Sequence, residues 1–268
     1  MEKESSQWLI PILLAVGAAG ALWYYWVSVE KPVSVPAVEA PVSVPVEPQT
    51  TPEPLHPVPE PDVGATERPE LVPLPALDQS DEYFKLALTD LFGDSLEEML
   101  VSSGIIERIV ATVDNLPRAH VAERVRPLGR LDGQFTVDGQ DASGEFTISD
   151  TNYDRYDVLV GLLSGADLQQ VADVYRRFYP LFQGAYVDLG YPKGYFNDRL
   201  VEAIDNLLAT PDINEPVSLV RPHVLYEFSD PDLESLSSGQ KMLLRMGSEH
   251  RSSVKQKLRE FRNIATQM

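Results

Sequence analysis

The stretch Asp167–Ala209, DLQQVADVYRRFYPLFQGAYVDLGYPKGYFNDRLVEAIDNLLA, decides the fold class. Leu168, Val171, Val174, Tyr175, Phe178, Phe182, Ala185, Tyr186 and Leu189 return every three or four residues, the spacing that lines one face of an α-helix. Pro180 has no amide and opposes its ring to the carbonyl of Arg176, so a kink or a second helix start is expected there. A further helix follows, with Phe196, Leu200, Ala203, Ile204, Leu207 and Leu208 on one side and Thr210-Pro211 at its end.

The same period extends outward in both directions. Ser80 is placed to cap a helix that sets Tyr83, Phe84, Ala87, Leu88 and Leu91 on one face. Asp94–Val101 and Ile105–Asn115 continue the pattern, with Gly93 and Gly104 as stops. At the far end Ser248 opens a helix whose stripe is Val254, Leu258, Phe261 and Ala265, with Arg251, Lys255, Lys257, Arg259 and Arg262 on other faces. The clear β signal is Gln134–Ser149: Phe135 and Val137 alternate before Asp138-Gly139, and Phe146 and Ile148 after Gly144, which reads as a hairpin. Val217–Phe228 is a second extended piece, less regular and interrupted by Pro222. Residues 78–268 are therefore expected to form a mainly α single helical domain with one small β-hairpin.

Upstream the composition changes. Trp8–Val29 is an uncharged apolar run of 22 residues. As a helix it rises about 33 Å, enough for a hydrocarbon core of about 30 Å. Every tryptophan of the chain lies in it: Trp8 at one end, Trp23 and Trp26 beside Tyr24 and Tyr25 at the other, as suits two headgroup layers. A transmembrane helix at 8–29 and a short cytoplasmic tail at 1–7 follow. Gly17 and Ala21 offer a small-residue seam for a homodimer through the span. Residues 30–77 hold thirteen of the chain's 22 prolines. They read as an acidic proline-rich linker in extended polyproline conformation, a spacer with a docking-ligand alternative. Because long domains cross with little regard to charge, the short end is expected inside and the soluble part outside.

The net charge of −19 argues against nucleic-acid partners. The basic last helix suits docking on its own acidic domain. His56, His120, His223 and His250 lack metal-pair spacing, and there is no cysteine to complete a site. The acidic hairpin tip (Asp138, Asp141, Glu145) misses the EF-hand spacing. Phosphate-loop, dinucleotide-fingerprint and nucleophile-elbow patterns are missing as well. No cofactor, metal or catalytic residue is assigned. Carboxylate pairs such as Asp154 with Asp157, or Asp198 with Asp205, keep a hydrolase as the third reading.

Eight of the eighteen Phe and Tyr residues outside the apolar run fall between Tyr175 and Phe196. They serve either an aromatic core or a groove for sugars or peptides. The candidate binding surface comprises Arg155, Tyr175, Arg176, Arg177, Tyr179, Asp198 and Arg199.

Four strings, taken in order, carry a resemblance. They are Asp114-Asn-Leu-Pro-Arg118, Asn152-Tyr-Asp-Arg-Tyr-Asp157, Tyr175–Pro211, and Phe228–Glu234 followed by Gly239–Gly247. The chain resembles the bacterial family catalogued as domain of unknown function 3014. That resemblance implies a bacterial inner-membrane protein with a single amino-terminal span and a proline-rich linker, its soluble domain therefore expected in the periplasm, and it implies no activity. The expected function is a protein-interaction adaptor or accessory subunit of the envelope, with envelope proteins or peptidoglycan as partners; the alternative is a glycan or peptidoglycan-binding module.

Overall fold

Helices carry most of the chain that the structure, a computed structural model, describes: residues 53–59, 73–130, 133–140, 144–213 and 216–268. The elements are α1 (Asp81–Phe92), α2 (Asp94–Met99), α3 (Ile105–Asn115), β1 (Val137–Gln140), β2 (Glu145–Ile148), α4 (Asp157–Gly165), α5 (Leu168–Asp188), α6 (Phe196–Leu208), β3 (Ser218–Val220), β4 (Glu227–Phe228), α7 (Pro231–Glu234), α8 (Ser238–Arg245) and α9 (Ser248–Ala265). The expected span at 8–29, the tail before it and much of the linker lie outside the described residues. Among those described, no helix is long and apolar enough to cross a membrane.

The aromatic run is core. Phe84 of α1, Ile105, Ile106 and Val110 of α3, Tyr175, Phe178 and Phe182 of α5, and Phe196 of α6 form one buried cluster. Phe182 stacks on Phe196 with centroids 5.5 Å apart, while Phe84 meets Phe178 and Phe182 edge-on at 5.0 and 5.5 Å. Such pairs add about 0.5–1.5 kcal/mol each beyond the area they bury. Tyr83, expected on this face, is exposed instead. α5 runs unbroken through Pro180. The proline stands on the exposed side while the buried stripe continues from Phe178 to Phe182. Packing on both sides of it outweighs the roughly 3 kcal/mol that an interior proline costs.

The small β structure is larger than one hairpin. It is a four-stranded antiparallel sheet in the order β1-β2-β3-β4. Asp138 and Gly139 are not its turn. They pair within β1, opposite Thr147 and Phe146. Gly139 is needed there because φ is +123° and a Cβ would sit 2.3 Å from the Glu145 carbonyl oxygen. Val217–Phe228 supplies the other two strands. Val217, Leu219 and Phe228 point inward onto Phe146, Ile148 and Leu244. Pro222 falls in the exposed connection, where it costs no ladder bond.

One expectation about helix ends changes. The Ser80 hydroxyl bonds the Leu77 carbonyl rather than the first turn of α1. The carboxylate beside it, Asp81, instead accepts the amides of Gly104 and Ile105 at 2.8 Å each and so caps α3 from a distance. In α9, Arg251 and Lys255 are buried. Lys255 Nζ donates to the Thr210 carbonyl at 2.8 Å and to Asp212 at 3.3 Å. Arg262 forms a two-armed pair with Asp205 of α6. The basic helix is thus seated on its own domain.

Candidate functional site

The start of α6 is built by its neighbours. Tyr195, its N-cap, makes no side-chain capping bond. Gln183 of α5 takes that role: its Oε1 accepts the Phe196 amide at 2.8 Å, and its Nε2 donates to the Gly194 carbonyl at 2.8 Å. Tyr179 donates to the same Oε1 at 3.2 Å. Next in sequence, Asn197 has no solvent exposure. Its Oδ1 accepts the Tyr175 hydroxyl at 3.1 Å, and its Nδ2 donates to the Ala265 carbonyl at the end of α9, at 2.9 Å. Burial raises the Tyr175 hydroxyl well above the ordinary phenol range, so it remains a donor.

Asn197 also reaches the linker. Its Nδ2 donates to the His56 carbonyl at 2.9 Å. Asp198 completes the grip: Oδ2 accepts the Leu55 amide at 3.0 Å and Oδ1 the His56 amide at 2.8 Å. Burial along the segment has period two. Pro54, His56 and Val58 are half-buried, while Glu53, Leu55, Pro57 and Pro59 are exposed. Val58 packs against the helical core. The linker reading therefore holds a segment that is seated on the domain, not spacer. Residues Thr51–Met268 form one compact unit.

The candidate surface residues separate on inspection. Tyr175, Tyr179 and Asp198 do gather at this seat, although Tyr175 is buried and acts through Asn197. Arg199 turns the other way, its Nε 3.0 Å from Asp114 Oδ1 and its Nη1 2.7 Å from Glu202. Asp114, itself buried, also receives Arg118 at 2.7 Å and the Tyr191 hydroxyl at 3.3 Å on Oδ2. This network ties α3 to α6 and to the loop after α5. Arg176 pairs with Asp173, and Arg177 lies over the Phe178 ring at 5.7 Å. Arg155 belongs to another cluster, donating at 3.0 Å to buried Asn152, which bonds the Arg245 carbonyl. Asn197, Gln183 and His56 were not among the candidates. Asn197 lies between two residues that were noted, but a buried amide leaves no periodic signal of its own.

Three of the four carboxylates suggested as catalytic pairs are engaged elsewhere. Asp198 holds two amides and Asp205 holds Arg262. Asp157 lies 3.0 Å from His250 Nε2. The Arg262 bond, with help from His56, keeps the Asp205 carboxyl below its usual value. Among the described residues, no group of three acidic or histidine side chains is placed to hold a metal ion.

Residues 105–262 match the family model described as "Protein of unknown function (DUF3014)". The match covers more than half of the chain, and the chain belongs to that family. Comparison with curated proteins and with solved structures returns no match.

Proposed function

We propose that this member of the DUF3014 family is a membrane-tethered interaction adaptor. Residues 8–29 anchor it in a bacterial inner membrane, with the short end inside and the helical domain in the periplasm. The domain positions a partner polypeptide rather than transforming a substrate. One observation carries this reading: the domain already grips a segment of chain, residues 53–59, through the main-chain amides of Leu55 and His56 and the His56 carbonyl. Main-chain recognition, with alternate side chains facing the surface, is how folded domains hold peptides. The aromatics that a sugar-binding face would display are packed in the interior, which favours the peptide reading over the glycan one.

In-cell crosslinking from a tagged full-length chain, followed by mass spectrometry, tests the role. A reproducible set of envelope proteins, crosslinked near α5 and the start of α6, is expected. Crosslinks only to lipid and to the chain itself, or recovery of cytoplasmic proteins, would contradict it. Protease added to spheroplasts should remove residues 78–268, and full protection would overturn the placement.

A further inference from the structure

We infer that Arg126, Arg155, Arg245 and the hydroxyl of Tyr156 form a recessed site for the phosphate group of a small soluble phosphate monoester. The site is separate from the seat at the start of α6 and goes beyond the adaptor reading.

The segment that joins α3 to β1 supplies the first cation. In a chain of net charge −19, residues 118–130 hold four arginines against one acid, Glu123. Arg118 is held by Asp114 at 2.7 Å and Arg130 by Glu123 at 2.6 Å. Among the described residues, no carboxylate stands within ion-pair distance of Arg126. Its backbone is pinned on both sides. The Thr112 hydroxyl donates to the Val125 carbonyl at 2.8 Å, and the Val101 amide to the Pro127 carbonyl at 3.0 Å.

One buried amide organises the other two arginines. Asn152 accepts Arg155 Nη1 on Oδ1 at 3.0 Å and donates from Nδ2 to the Arg245 carbonyl at 3.2 Å. The Arg245 guanidinium lies over the Phe228 ring, 5.1 Å from its centroid. Among the described residues it too has no carboxylate within ion-pair distance. Glu234 is taken by Lys241 at 2.7 Å and by the Phe228 amide at 2.9 Å. Burial lowers the Arg245 pKa, and Glu234 and Tyr156 only partly oppose that shift. A guanidinium nevertheless stays charged, so a bound anion offsets its desolvation.

Tyr156 packs beside Leu243 and Met246, which bracket Arg245 in sequence. Its side chain is only 9% exposed. Its hydroxyl makes no hydrogen bond among the described residues, yet it is not sealed from solvent. Arg155, Arg245 and Arg126 all act on that hydroxyl electrostatically, but burial outweighs them and keeps it above the ordinary phenol range, so it remains a donor. Three guanidinium forks and one O–H offer more donors than the two oxygens of a carboxylate accept. A phosphate monoester brings three terminal oxygens and about two charges at neutral pH. The recessed hydroxyl suits a small free ligand better than a planar lipid surface.

The test is calorimetric titration of inorganic phosphate into the full 268-residue chain in nonionic detergent at low salt. Binding with a Kd below about 1 mM is expected, and acetate should bind at least about tenfold more weakly. Tyr156→Phe removes a hydroxyl that bonds to nothing in the domain. It should melt with the parent while weakening phosphate by about tenfold. Arg245→Met should weaken it at least as much. Arg130→Met, at an exposed position already paired with Glu123, should leave binding within about twofold of the parent. No phosphate binding up to about 10 mM, or parental affinity in Tyr156→Phe, overturns the inference. Equal losses in Arg130→Met and Arg245→Met would mark diffuse surface charge and overturn it as well. So would binding of phosphatidic acid in mixed micelles without binding of inorganic phosphate. Partner crosslinking in cells is read separately, so this site and the adaptor reading fail independently.

Discussion

Asp114→Ala should destabilise the domain more than its position near the end of α3 suggests. The side chain is 6% exposed and accepts from Arg199, Arg118 and Tyr191. The three are unequal. Arg118 is 51% exposed, and a pair of that kind is worth about 0–1 kcal/mol. The Arg199 side chain is only 14% exposed, so removing Asp114 leaves a mostly desolvated guanidinium with Glu202 as its remaining carboxylate. Breaking a buried pair costs about 3–5 kcal/mol. The Glu202 contact, whose carboxylate is 64% exposed, brings the expectation to about 3 kcal/mol. For a domain of this size that lowers the melting temperature by about 6–12 °C. Urea unfolding followed by circular dichroism should show an earlier midpoint with an unchanged slope. The Arg199→Met chain and the double variant complete a cycle, in which a coupling of about 1.5–3 kcal/mol is expected. A loss below about 0.5 kcal/mol, or strict additivity in the cycle, refutes the reasoning.

Other changes probe separate parts of the fold. Gly139→Ala forces a Cβ to 2.3 Å from the Glu145 carbonyl oxygen at φ +123°, so the sheet should lose about 1–3 kcal/mol, read by thermal melting. Ser237→Ala removes the capping box at the start of α8, where Ser237 and Gln240 exchange bonds of 3.1 and 3.2 Å; about 1 kcal/mol is expected from denaturant titration. Burial pushes the Glu234 carboxyl up, but Lys241 and the Phe228 amide together hold it below its usual value. A carboxyl depressed on folding contributes stability that is present above its unfolded pKa and lost as pH falls through the folded one. Stability should therefore drop on acidification below the ordinary glutamate range, and Glu234→Gln should flatten that drop in pH-dependent melts.

Legibility in the sequence followed the strength of each physical signal. The helices from Asp167 to Ala209 were readable because burial imposes a period, and the aromatics keep it from Tyr175 to Phe196. Pro180 misled because its cost is local, while the packing of Phe178 and Phe182 is collective. β3 and β4 were obscured by Pro222, which breaks a ladder only when it stands inside a strand. The hairpin turn was assigned to Asp138-Gly139 because that pair favours turns, yet Gly139 serves a close approach across β1 and β2. Arg251 and Lys255 stand off the apolar stripe of the last helix. Their burial depends on the Ile213, Thr210 and Asp212 oxygens, partners some forty residues away that no periodicity reveals. The seat was half visible: Tyr175, Tyr179 and Asp198 were singled out, but its ligand lay in a proline-rich stretch whose composition reads as spacer.

Amide hydrogen exchange at Leu55 and His56 in the full chain tests the central claim most directly, namely that the domain grips the segment at 53–59 through Asp198. Two charge-assisted bonds at a partly exposed site should slow exchange by about ten- to thirtyfold over a free chain. Asp198→Ala should abolish that protection and leave the amides inside α6 unchanged. Free-chain exchange at Leu55 and His56 in the unmodified protein, or protection that survives Asp198→Ala, would contradict the account.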